Sequence, residues 1–296
     1  MKIRNIILTV LGVVATTGAF AQANILNAKT PDQIGVKTEA QLALDHDRPL
    51  EYGYVDDRDI LFSKMTWERV VLDERANFPL YYPVDTNNIG SNRRSLFDVI
   101  MKNVENGNIE NIYADSYFTE KRTLKDLDGA LKLIDTTNLG FEQYNAEGVV
   151  DPQYIRKREI SSYDIKEYRM KGLWYFDKRQ GELRYRLLGL APVCPDVNFI
   201  DEENPDLVEL FWIFFPESRD VLHEAKSFNN KNSAVPISFD HLLNSRRFSS
   251  VMYKEENVYG DREVKEYIAD NALMQLLESD RIKEKIRNFE QDMWSY

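Results

Sequence analysis

One cysteine, three histidines, ten prolines and thirteen glycines are a thin supply for a chain of 296 residues. A lone Cys194 excludes an intrachain disulfide, so the apolar core must hold the fold unaided. His46, His223 and His241 stand far apart with no H-E-x-x-H spacing, which leaves no zinc motif. No G-x-S-x-G, P-loop or dinucleotide fingerprint occurs, and no cofactor is implied. Asp56-Asp57-Arg58-Asp59 and Asp201-Glu202-Glu203-Asn204 lack the glycine and terminal glutamate of a calcium loop. No apolar run is long enough to span a bilayer: Ile6–Val14 is short, and Val208–Phe215 stops at Pro216. Positive charge is also scarce, with 38 Lys and Arg against 49 Asp and Glu, a net −11. That balance argues against nucleic acid or an anionic membrane as the main partner.

What is present is apolar and aromatic. The chain is 43% hydrophobic and 12% aromatic, enough for a sizeable core. Residues 1–21 read as a secretory leader. Lys2 and Arg4 form the basic start, Ile6–Val14 the apolar region and Ala19-Phe20-Ala21 the cleavage site. Losing it makes the chain more acidic still. Residues 22–50, sparse in apolar side chains and broken by Pro31, Gly35 and Pro49, read as an extended arm. Residues 51–296 form the folded part, divisible into lobes of about 51–150 and 151–296.

Within that part, Tyr168–Pro216 reads as three adjacent antiparallel strands. The first alternates over Tyr168–Phe176, Asp177–Gly181 turns, and Leu183–Leu188 returns. A Pro- and acid-rich loop, Pro192–Pro205, leads to Val208–Phe215, whose continuous apolar character predicts a central strand buried on both faces. Upstream, Trp67, Val70 and Val71 follow i, i+3, i+4 spacing and predict a helix over 63–76 ended by Pro79; Leu80–Val84 reads as a strand. Ser95 with Asp98 predicts a capping box before a helix carrying Phe97, Ile100, Met101 and Val104. Asn111–Phe118 reads as a strand, Leu124–Ile134 as a helix and 138–152 as loop. Ser218 and Ser238 predict two more helix starts, Val251–Tyr253 a strand, and Arg262–Ile268 a helix. A long C-terminal helix carries the stripe Leu273, Leu276, Leu277, Ile282, Ile286, Phe289. The expected class is α+β, a central antiparallel sheet with several flanking helices and a long C-terminal helix. Trp67–Tyr82 loosely echoes Phe239–Tyr253, which raises an internal duplication.

Arginine is enriched at protein interfaces. Arg93-Arg94 and Arg246-Arg247 are basic pairs in an acidic chain, and Arg184 and Arg186 line one face of a predicted strand. These six are the candidate partner-binding residues.

Long phrases, in order over about residues 50–296, carry a resemblance to one family. They include Leu50-Glu51-Tyr52-Gly53-Tyr54-Val55-Asp56-Asp57-Arg58-Asp59, Asn77-Phe78-Pro79-Leu80-Tyr81-Tyr82-Pro83 and Ser116-Tyr117-Phe118-Thr119-Glu120-Lys121-Arg122. Trp174–Leu183, Ile237–Leu243, Tyr253–Arg262 and Asp270–Trp294 continue the series. The sequence resembles the gliding-motility protein family GldN, also called PorN. The resemblance implies a non-enzymatic periplasmic core component of the type IX secretion system of Bacteroidetes-type bacteria. It implies a ring with neighbouring copies and the outer-membrane lipoprotein GldK. It further implies contact with the periplasmic part of GldM, which spans the inner membrane with GldL. No membrane anchor of its own and no catalytic residues come with it. The rival readings are an exported hydrolase with a carboxylate pair about 5–9.5 Å apart, and a periplasmic ligand-binding protein with a closed apolar pocket.

Overall fold

The computed structural model describes residues 46–85, 93–199, 205–228, 237–269 and 271–293, with isolated positions before residue 46. The predicted leader, nearly all of the predicted arm, the acidic run 201–204 and most of the polar stretch 85–92 lie outside the described residues. Two compact units are separated at Arg48/Pro49. All that follows concerns the second, Pro49–Tyr296.

Its strands are β1 (Ile60–Val71), β2 (Ile112–Tyr113), β3 (Lys121–Arg122), β4 (Lys132–Thr136), β5 (Ile155–Glu159), β6 (Glu167–Asp177), β7 (Glu182–Pro195), β8 (Leu207–Glu209), β9 (Trp212–Phe214), β10 (Lys226–Ser227), β11 (Ile237–Ser238) and β12 (Val251–Glu255). The α-helices are α1 (Phe78–Tyr81), α2 (Leu96–Glu105), α3 (Leu124–Leu131), α4 (Asn138–Glu147), α5 (Phe215–Glu224), α6 (Phe239–Asn244), α7 (Val264–Tyr267) and α8 (Ala272–Met293). The main sheet runs β12-β1-β6-β7-β9-β2-β3, with β8 also on β7, and every pairing in it is antiparallel. The α+β class with a central antiparallel sheet and a long C-terminal helix is what the sequence predicts.

The β6–β7 hairpin is the trunk. Its turn places Gly181 at φ 65, a conformation that costs glycine little. Pairing runs from Asp177↔Glu182 to Glu167↔Val193, with one irregularity at Lys171/Gly172 where β7 carries an extra residue. Tyr185 lies across Gly172: a Cβ there would sit 2.2 Å from the phenol oxygen. Only glycine admits that ring.

One face of the sheet is covered by helices. Val70, Tyr168, Met170, Leu187 and Leu190 meet α2, α3, α5 and α6 in the largest core cluster. Farther along the same face, Phe62, Trp174 and Leu183 meet Met252, Val264, Ile282 and Ile286 under α8. Phe62 stacks on Phe289 with ring centroids 4.1 Å apart. The opposite face carries a smaller cluster of Trp67, Ala191 and Trp212, closed by Tyr113, Phe118 and Tyr253.

Several expectations fail for identifiable reasons. The predicted helix 63–76 is strand β1. Val70 faces one cluster and Trp67 the other, so both faces are buried and period-2 alternation disappears from the apolar pattern. With Trp67 in a strand and Phe239 in α6, the proposed duplication fails. Pro79 lies in the first turn of the short α1 instead of ending a helix, and no strand forms over 80–84. Ser95 caps α2 by accepting from the Asp98 amide at 3.2 Å, but the full capping box is at Thr123/Asp126 on α3. Asn111–Phe118 contributes only the two residues of β2, and Ile134 belongs to β4. The predicted loop 138–152 contains α4, a helix whose apolar residues Leu139, Phe141 and Tyr144 are exposed, so it lacks a core stripe. β7 continues through Pro195 into the predicted loop. Val208–Phe215 is fully buried around Leu210–Ile213 but is split into β8, β9 and the first turn of α5. The α5 helix starts at Phe215 with Pro216 in its first turn, ahead of Ser218. Arg262–Ile268 holds only the short α7.

Cys194 is fully buried, and burial pushes its thiol up to about 12. A raised thiol pKa means a neutral group in the native state, so its contribution to stability is present below the unfolded value and lost as pH rises from there through about 12. At pH 8, Ellman's reagent is expected to label the native protein only as fast as it opens, and the urea-unfolded chain within seconds. Rapid native labelling would contradict the burial.

Candidate assembly interface

The six predicted arginines part company. Arg93 is exposed, with its guanidinium 5.2 Å from the Phe228 ring. Arg94 pairs with Asp98 at 3.5 Å beside the start of α2. Arg184 meets Glu182 at 3.3 Å on the exposed end of β7. Arg247 is exposed beyond the end of α6. Arg186 and Arg246 are engaged inside the fold.

Arg246 donates to both oxygens of Glu68, at 3.0 and 2.7 Å. Glu68 is fully buried on β1, and Ser250 donates to the same carboxylate. The guanidinium lies 4.1 Å from the Tyr185 ring and 5.0 Å from Trp174. Burial lowers the Arg246 pKa, but the Glu68 charge and hydrogen bonds more than offset that, and the net direction is up. To reach Glu68, Arg246 adopts φ 51, the left-handed region uncommon for a side-chain-bearing residue. A bidentate pair of this kind fixes geometry as well as charge.

Arg186 belongs to a clamp that sequence reading missed. Residues 50–54 run outside any strand, and three arginines donate to their carbonyls. Arg219 reaches Leu50 at 2.6 Å, Arg186 reaches Gly53 at 3.3 Å and Arg179 reaches Tyr54 at 2.6 Å. The Tyr52 ring stands 4.1 Å from the Arg219 guanidinium and 4.4 Å from that of Arg186. Its hydroxyl donates to Asn244 at 3.0 Å, and burial raises its pKa. Arg219 is itself held by buried Asp240 at 2.8 Å. Leu50 and Tyr54, by contrast, are 79% and 78% exposed. The segment is a strap held by its backbone, with its outer side chains presented to solvent. Arg179 and Arg219 look in the sequence like ordinary turn and helix-surface residues; only their long-range partners distinguish them.

The opposite sheet face holds a second buried cation. Lys171 lies 5.1 Å from Trp67, 4.7 Å from Tyr117 and 5.5 Å from Phe118, and donates to the Ser116 carbonyl at 2.9 Å. Burial lowers its pKa, as does Lys254 nearby. Lys254 in turn donates to the Tyr117 hydroxyl, which donates to Asp261 at 2.9 Å. Cation–π contacts of this kind hold the 115–119 loop to the sheet.

Among the described residues no group of histidine, cysteine and carboxylates is arranged to hold a metal, and no helix is long and apolar enough to cross a membrane. An open trough of about 470 Å³ runs along α8 between Glu255, Arg281, Lys285 and Phe289. A smaller groove lies between β12 and α7–α8. The predicted stripe of α8 divides here. Ile282 and Ile286 are buried, while Leu273, Leu276 and Leu277 face out.

Compared with protein families, the chain matches the gliding motility associated protein GldN over residues 55–295. Comparison with curated proteins gives no match.

Two substitutions test the geometry. Arg246→Met strands the Glu68 carboxylate and is expected to cost about 3–5 kcal/mol in urea unfolding, with most of it recovered in the Glu68→Gln/Arg246→Met double variant. Arg219→Ala is expected to speed proteolytic cutting within residues 50–54 while β6 and β7 keep their amide protection; an unchanged cutting rate would contradict the clamp.

Proposed function

Because the chain belongs to the GldN family of gliding motility associated proteins, we propose that it is a non-enzymatic periplasmic subunit of the type IX secretion system. It forms a ring with neighbouring copies and a GldK-like outer-membrane lipoprotein, and links that ring to the GldL–GldM motor of the inner membrane. Residues 1–21 direct export, residues 22–48 form a partner-wrapping arm, and the protein reaches the outer membrane only through its partner. The family itself belongs to gliding motility and type IX secretion; the ring, its partners and the compartment are the proposal.

The observation that carries the reading is the span of the family match, which takes in nearly all of the compact unit Pro49–Tyr296. The distribution of side chains supports it. Apolar residues stand exposed on α4, α8 and the strap, as expected of a surface completed by partners. Arg93, Arg94, Arg184 and Arg247 lie toward the surface and are the proposed rim contacts. Arg186 and Arg246 serve the interface indirectly, by holding the strap and the sheet. A hydrolase or ligand-binding reading needs a closed pocket with facing carboxylates or an apolar lining.

The test is affinity purification from envelope extracts. The ring lipoprotein is expected to co-isolate in near-equal amount; a lone soluble monomer would overturn the reading. Removal of residues 22–48 is expected to leave thermal unfolding nearly unchanged and to reduce co-isolation of the lipoprotein. An unfolded truncated chain would make the arm part of the core.

A further inference from the structure

The groove between β12 and the α7–α8 pair mixes apolar side chains with charged ones, Arg69, Arg169 and Lys265 facing Glu167 and Glu263. Val251, Val264 and Leu276 line it, with Arg69 and Arg169 from the neighbouring strands. Its volume is about 120 Å³. That admits a side chain or two, well below the ~300–1,000 Å³ of small-molecule pockets. Next to Leu276, the residues Leu273, Met274 and Leu277 stand exposed on α8. The helix thus has two apolar faces. Ser279, Ile282 and Ile286 meet the sheet, and the second, near its N-terminal end, meets no part of the described core.

Charge says what fits there. Arg69 on β1 stands directly opposite Arg169 on β6 and Val251 on β12. Arg169 is compensated by Glu167 and Glu209, and Lys265 pairs with Glu263 at 3.4 Å. Arg69 is exposed and has no ion pair among the described residues. With Arg169 already compensated, Arg69 is the cation in this groove left to attract an arriving carboxylate.

The same molecule presents the complementary surface. Residues 50–59 contain Glu51, Asp56, Asp57 and Asp59 against the single cation Arg58. Leu50 and Tyr54 point out from the strap, and Asp57 is exposed in the turn that follows. The arginine clamp has already ordered this segment, so docking it costs little further chain entropy. Strap and groove share no residue. A head-to-tail contact between them repeats from copy to copy, whereas a reciprocal exchange of straps would close at two.

We propose that the strap Leu50–Asp57 of one copy docks in the α7–α8 groove of a second copy. Leu50 and Tyr54 pack on Leu273, Leu276 and Leu277, and Asp57 meets Arg69. This deepens the ring reading by naming the surfaces through which neighbouring copies meet.

The experiment uses cross-linking, which the buried Cys194 leaves clean. Differently tagged copies carrying Tyr54→Cys and Leu277→Cys are co-expressed, and the envelope is mildly oxidised. A disulfide-linked heterodimer is expected, with little self-linking of either variant alone. Arg69→Glu in the Leu277→Cys copy is expected to cut the yield at least tenfold, and Asp57→Arg in the other copy to restore most of it. A dominant 277–277 link would make α8 an isologous contact and overturn the proposal. So would a double variant that closes within one monomer, or a yield indifferent to Arg69. Absence of any link while the lipoprotein still co-isolates would overturn the docking and leave the ring reading intact. Loss of co-isolation from the unmutated protein would instead strike the ring reading.

Discussion

The buried pair Glu68–Arg246 constrains more of this molecule than any other contact. A carboxylate with no solvent exposure, in the middle of an interior strand, must be met by a cation in fixed geometry. The turn after α6 supplies it, at the expense of a left-handed backbone at Arg246. Tyr185 and Trp174 wall the guanidinium, and Gly172 leaves room for the Tyr185 ring. The pair lies between the large core cluster at the Val70 end of β1 and the α8 cluster at the Phe62 end. It therefore ties two apolar cores, one on each side of it, into one sheet.

The same device recurs. Lys171 and Lys254 share aromatic partners on the other face, and Arg219 with Arg186 brackets Tyr52 at the strap. Cations packed on aromatic rings let an acidic chain with one cysteine lock loops onto its sheet without disulfides. Several arginines are thereby engaged in holding the chain to itself. Among what they hold is the strap, with Leu50 and Tyr54 outward.

The legible parts of the sequence were those with one exposed face or a local signal. β6 alternates, Gly181 marks its turn, Ser95 and Ser238 cap their helices, and α8 is long and periodic. β1 was illegible because it is covered on both faces, which turned Trp67, Val70 and Val71 into an apparent helical stripe. The interruption between β8 and β9 was illegible because burial is continuous across it while hydrogen bonding is not. Of the candidate arginines, Arg93 and Arg247 could be read as surface. The clamp could not, since Arg219–Leu50 and Arg186–Gly53 join residues more than a hundred positions apart. The outward Leu273, Leu276 and Leu277 were read as core because a helix stripe does not say which side is covered.

The central claim is that this chain works as one copy among many in an envelope assembly. The most direct measurement is the native mass of the particle that contains it, taken by mass photometry after gentle detergent release. The account predicts a particle many times the 34.6 kDa of one chain, holding the lipoprotein in equal number. A species at the mass of a single chain, with no lipoprotein, would contradict it.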